Sequence, residues 1–253
     1  MGTPRKARNG KKVTWIDVYG SKHDLDFVIE RGGTEQQLGV PVALIECAWR
    51  RYTKHSKNKA QEIQGAVLPV AEKYKYHKPF LGAVIAGDFT DPSVEQLNGC
   101  GFVTIYFESR EVFESFQEAG FDIYYDEDTS DDDATHMIGV FESLTPDQKQ
   151  DIFTRIVAKT EGEVARFKQK LEEALDRQVS SIVVAPMFGA NRNFQTIDEA
   201  VEYLKNNDLT GVPDDIEFKN IYVQVVYSNG DKIEGNFKSA INAERFLLGN
   251  AEI

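Results

Sequence analysis

Apolar positions along this chain gather into short runs, and the length and period of each run predict its element. PVALIECAW (41–49) is almost continuously apolar, as a strand buried on both faces requires. PFLGAVIAG (79–87), FVTIYFE (102–108) and SSIVVAPMF (180–188) read the same way. Helical spacing lies between them. A helix is predicted over 58–74, with Ile63, Val67 and Val70 on one face and Thr53 or Ser56 as its cap. SVEQLNG (93–99) predicts a short helix, SREVFESFQEAG (109–120) an amphipathic one, Pro146 to about Arg177 a single long one, and TIDEAVEYLKNN (196–207) another. The alternation of strand and helix implies an α/β layer with parallel pairs. Towards the end, IYVQVVYSNGDKIEGNF (221–237) predicts a hairpin about Asn229-Gly230, and SAINAERFLLG (239–249) a last helix. DLDFVIE (24–30) predicts a strand and RGGTEQQLG (31–39) a turn, whereas VTWIDVY (13–19) fits a strand or a helix start equally well. The acidic stretch YDEDTSDDDA (125–134) predicts a surface loop and lacks the glycine and terminal glutamate of a calcium loop.

Composition narrows the class. With 253 residues, 41% of them hydrophobic and 28% charged, the chain matches a folded soluble protein. No apolar run approaches the roughly 20 residues of a membrane span, and no apolar segment follows the basic start MGTPRKARNGKK, so a cytoplasmic location is expected. Cys47 and Cys100 match no metal pattern and are expected to be buried thiols. No phosphate-binding loop, dinucleotide fingerprint or nucleophile elbow occurs.

The net charge of −12 hides a division. Residues 1–82 hold 15 Lys and Arg against 8 Asp and Glu, while the rest hold 14 against 33, so one end is suited to a polyanion. The expected organisation is a basic arm over 1–12, a core over 13–140 and an α+β region over 141–253 that binds DNA, dimerises or meets a partner protein through its acidic surface.

Two carboxylates stand on apolar segments one short loop apart, Asp26 in DLDFVIE and Glu46 in ALIECAW. An ionised carboxylate in such a segment costs several kcal/mol unless it is paired or binds a cation, so two together invite a metal. Mg²⁺ suits one or two carboxylates plus water and phosphate, with Mn²⁺ as its substitute. RRYTKHSKNK (50–59) then supplies Arg50, Arg51, Lys54, His55, Lys57 and Lys59 at a helix entry, beside Trp49 and Tyr52, where phosphates could bind.

In these residues the chain resembles the PD-(D/E)XK nuclease superfamily over roughly 24–107. The resemblance implies a restriction-endonuclease-like mixed sheet flanked by helices. It also implies Mg²⁺-dependent hydrolysis of phosphodiester bonds in double-stranded DNA, as in a type II restriction enzyme or a phage-defence nuclease. Asp26 matches the motif aspartate, with Asp24 as its substitute, and Glu46 the motif glutamate. The motif lysine is replaced by Ala48; Lys54, Lys57, Lys59 or Arg50 would take its role, and Gln61 or Glu62 would orient a ligand. A double-strand cut at a symmetric site implies a homodimer. Two other readings are a non-catalytic DNA-binding module that has lost the lysine and a structure-selective repair nuclease.

Overall fold

The computed structural model describes residue 7 and residues 13–51, 53, 56–126, 128–209 and 220–250. The expected basic arm, apart from Ala7, and Tyr52, Lys54 and His55 lie outside these residues. The chain is α/β and divides into two compact units: the first runs to Glu172, and the second begins at Glu173 and also takes in Val40–Val42 and Tyr74–Pro79. The division thus falls well beyond residue 140.

In the first unit, β1 (Thr14–Ile16) and β2 (Lys22–Asp24) pair antiparallel as a separate ribbon. Asp17 closes its turn, accepting main-chain N–H bonds from Tyr19 and Ser21 and a His23 contact at 2.9 Å. The main sheet has the order β3-β4-β5-β6, with β3 at Phe27–Arg31, β4 at Val40–Arg50, β5 at Phe80–Gly87 and β6 at Val103–Glu108. β4, β5 and β6 are parallel, and their crossovers are α1 (Ser56–Lys73) and α2 (Asp91–Gly99). Helical crossovers cover the faces of a parallel sheet, which is why its strands are near-continuous apolar runs.

Ile63, Val67 and Val70 of α1 are buried as the spacing requires. Ser56 is the first helical residue rather than a solvent-facing cap, and its hydroxyl meets Ser93 at 3.0 Å. β5 ends at Gly87, whose φ of +97° suits only glycine and where a Cβ would sit 1.9 Å from the Arg50 carbonyl oxygen. That close approach lets the Asp88 N–H donate to the same carbonyl at 2.9 Å, tying the ends of β4 and β5 together.

α3 (Ser109–Glu118) follows β6. Two expectations fail beyond it. The acidic stretch is not all loop: Ser130 caps α4 (Asp131–Ser143), whose first turn is Asp131, Asp132 and Asp133. Carboxylates there complement the helix dipole, which is why a run of acids starts a helix. The long helix from Pro146 is also two, α5 (Pro146–Lys159) and α6 (Glu161–Leu175), broken at Thr160. α6 covers the free edge of β6, where Glu163 accepts the Tyr106 N–H at 2.7 Å and Arg166 donates to the Thr104 carbonyl at 3.2 Å.

The second unit carries the antiparallel sheet β10-β9-β7-β8, from β7 (Val179–Pro186), β8 (Arg192–Phe194), β9 (Ile221–Tyr227) and β10 (Lys232–Phe237). Its core sets Ile182, Val184, Val223 and Val225 against α7 (Ile197–Asn206) and α8 (Ala240–Leu248). Among the described residues, no helix is long and apolar enough to cross a membrane. Both cysteines are exposed and form no disulfide, contrary to the burial expected: Cys47 is the first exposed position of β4 as it leaves the core, and Cys100 caps the end of α2.

Candidate functional site

Buried Leu25 anchors a bend between β2 and β3, and this bend presents Asp26 at the surface rather than mid-strand. Opposite it, Glu46 is half-buried at the point where β4 passes from core to periphery. Each segment holds the other's carboxylate: the Asp26 N–H donates to Glu46 Oε1 at 3.1 Å, and the Cys47 N–H donates to Asp26 Oδ2 at 2.9 Å. Two residues twenty positions apart are thereby fixed as a pair. Asp24 is not part of it, since its carboxylate accepts the Thr14 hydroxyl within the β1–β2 ribbon.

The electrostatics follow from this geometry. Partial burial pushes the Glu46 carboxyl above its ordinary value. The Asp26 N–H and the Lys59 ammonium pull it back, whereas the charge and side-chain hydrogen bonding of Asp26 push it further up. Cys47 is also pushed up, by burial and then by the same two carboxylates, so its thiol stays protonated and is a poor nucleophile.

The basic candidates separate. Lys59, half-buried on α1, is the cation that acts on Glu46, and its Nζ lies 3.1 Å from Glu62 Oε2. Arg50 reaches the same Glu62 oxygen at 3.7 Å, and its buried Nε has no hydrogen-bond partner among the described residues. Strand alternation puts Glu46, Ala48 and Arg50 on one face, and the small Ala48 leaves space between the two longer side chains. Lys57 and Gln61 are exposed on α1. Arg51 points elsewhere: it stacks on Tyr125 at 4.5 Å and donates to the carbonyls of Asp126 and Thr129, so its guanidinium holds the chain's own loop.

Among the described residues, no three His, Cys, Asp or Glu side chains gather as a metal-binding group. A divalent cation at this place would have only the two carboxylates among these residues as protein donors, with water and substrate oxygens to complete its shell. A cation between Asp26 and Glu46 would offset the Asp26 charge, which after burial is one of the causes that push Glu46 up.

In metal-free buffer, Glu46→Gln is expected to raise the melting temperature by about 2 °C near neutral pH, the effect being small because the group is partly solvated. A carboxyl raised in the fold stabilises only below its ordinary value of 4.5 and loses that contribution as pH rises, so the gain should vanish in acid. Melting curves in EDTA from about pH 4 to 8 check this sign; a lower melting temperature for Glu46→Gln at neutral pH would contradict it.

The structure also shows a hollow that the sequence did not single out. It lies at the carboxyl ends of β5 and β6, where ligands gather on open parallel sheets, has a volume of about 460 Å³, and is lined by Asp88, Ser109, Tyr124 and Asp126 among others. An Asp directly after Gly87 at a strand end was the available signal. Compared with family models, with curated proteins and with solved structures, the chain matches none.

Proposed function

We propose that this protein is a divalent-metal-dependent endonuclease that hydrolyses phosphodiester bonds in double-stranded DNA, built on a restriction-endonuclease-like arrangement. The observation that carries the reading is the reciprocal hold between Asp26 and Glu46, with the Lys59 ammonium acting on the same carboxyl. Asp26 and Glu46 would hold the cation, which when bound supplies Lewis-acid stabilisation of the phosphate. Lys59 brings positive charge to the place where charge builds on the phosphate oxygens, taking the part that Ala48 cannot. Glu62 keeps Arg50 and Lys59 on the same side of the site, where both guanidinium and ammonium add positive charge for a phosphate.

Supercoiled plasmid and linear phage DNA incubated with Mg²⁺, Mn²⁺ or EDTA test this. Cleavage with either metal and none with EDTA is expected. Discrete fragments would place the enzyme with restriction nucleases, and cuts confined to branched or mismatched substrates would place it in repair. DNA binding without cleavage under any metal would replace the proposal with the non-catalytic module.

A further inference from the structure

A second hollow, of about 600 Å³, opens beside the first, and the two share Phe113, Ile123 and Tyr125 as a common wall. It is apolar: α3 contributes Phe116, α4 contributes Met137, Ile138 and Phe141, and the end of β4 contributes Trp49. Ile138, Phe141 and Trp49 are open to solvent, at 58%, 43% and 42% exposed, while Phe116 and Met137 are half-buried. Large apolar side chains left open together over two helices mark an interaction surface rather than a core. Methionine and aromatic rings suit an adaptable groove of this kind.

The surroundings of the groove are acidic. The adjoining hollow is lined by Asp88, Glu114, Asp122 and Asp126 against Arg110. Asp131, Asp132 and Asp133 stand at the head of α4, and Glu142 lines the groove at the other end of that helix. The cations there are fewer: Lys149 lies over the Phe141 ring at 4.8 Å, Arg51 over the Tyr125 ring at 4.5 Å, and Arg110 and Lys159 stand 3.8 and 3.5 Å from Glu114. A second copy of this face would bring acid against acid at a two-fold axis, which complementary interfaces avoid.

We infer that the trough between α3 and α4 docks a basic amphipathic helix of a partner protein, its apolar stripe in the groove and its lysines or arginines against the acidic rim. Phe116 of α3 and Phe141 of α4 meet edge-on with ring centroids 6.1 Å apart, so a docked helix lies over the trough and presents anchors at i, i+3, i+4 and i+7 to it, a recurring recognition mode. None of these residues belongs to the carboxylate site, so the inference stands apart from the nuclease reading.

The probe is a synthetic helical peptide with leucines at i, i+3, i+4 and i+7 and lysines elsewhere, titrated into the full chain beside a control in which every lysine is glutamate. The lysine peptide is expected to bind, weakening as salt rises, while the glutamate peptide does not. Ile138→Asp, a substitution at an exposed position, is expected to weaken lysine-peptide binding by about tenfold or more while any DNA cleavage stays at the wild-type rate. Equal binding of the two peptides, no binding of either, or unchanged affinity in Ile138→Asp would overturn the inference. So would a concentration-dependent dimer in sedimentation that Ile138→Asp dissolves, since the face would then belong to a second copy of the chain.

Discussion

Replacing Asp26 or Glu46 by alanine is expected to lower metal-dependent DNA cleavage by about a thousandfold or more, and Lys59→Ala by about a hundredfold. The larger loss follows because each carboxylate is fixed partly by the other's segment: without Glu46 the Asp26 N–H loses its acceptor, and without Asp26 the Cys47 N–H does. On the proposed reading either change would remove both a cation ligand and the alignment of the remaining one. Lys57→Ala should leave the rate within about twofold, because Lys57 is an exposed side chain on the first turn of α1 whereas Lys59 acts on Glu46. Initial rates on plasmid DNA separate these variants. Ala48→Lys in the Lys59→Ala background should restore part of the rate, since position 48 shares a strand face with Glu46. Equal losses in the Lys57 and Lys59 variants, or no rescue by Ala48→Lys, would remove Lys59 from the mechanism.

The second large effect concerns stability and lies in the other unit. Arg177 is 2% exposed, yet it is charged. It donates to the carbonyls of His77 and Lys78 and to Asp231 Oδ2 at 3.0 Å, and it lies 4.6 Å from the centre of the Tyr227 ring. Lys78 takes a left-handed conformation at φ +42°, unusual for a residue with a side chain, and Arg177 holds its carbonyl in place. Arg177→Met keeps the bulk but leaves the His77 and Lys78 carbonyls without this donor, and leaves Asp231 with only the Asn229 amide and the more distant Lys78 ammonium. It should cost about 3 kcal/mol, seen as a fall in melting temperature of roughly 10 °C.

His77 offers an independent check. Its imidazole is held below its ordinary 6.5 by burial and then by the Arg177 charge. A depressed histidine stabilises the fold above its unfolded value and loses that contribution as pH falls, so wild-type stability should decline below about pH 6.5, and less steeply in Arg177→Met. An unchanged melting temperature in Arg177→Met would show the cluster to be dispensable.

Much of this fold was legible in the apolar runs. β4, β5, β6, β7 and the β9–β10 hairpin lie where continuous or alternating apolar residues and Asn229-Gly230 placed them, because a buried strand has few sequences that satisfy it. α4 was hidden for a definite reason. Ala134, Met137, Ile138 and Phe141 do recur at helical spacing, but the stripe is short and weakly apolar and it follows a run of acids that reads as loop. The break between α5 and α6 carries no proline; its signals are Thr160 with Glu163 three residues on, which is the pattern of a helix start, and Gly162, and they are easily passed over because charge pairing continues on both sides.

In the candidate site, the neighbouring strands were enough to bring Asp26 and Glu46 together. The choice among the lysines was not legible, since it depends on where α1 begins and which of its faces turns towards β4. Arg51 illustrates the same limit: it is next to Arg50 in sequence but lies in the bend just past β4, where Tyr125 with the Asp126 and Thr129 carbonyls captures it.

The pairing of Asp26 with Glu46 as a cation site is tested most directly by titrating Mn²⁺ into the metal-free protein, wild type beside Glu46→Gln, followed by electron paramagnetic resonance. Stoichiometric Mn²⁺ binding that strengthens as pH rises and weakens at least about tenfold in Glu46→Gln is the predicted result. Equal uptake by the two proteins, or none by the wild type up to millimolar Mn²⁺, would contradict it.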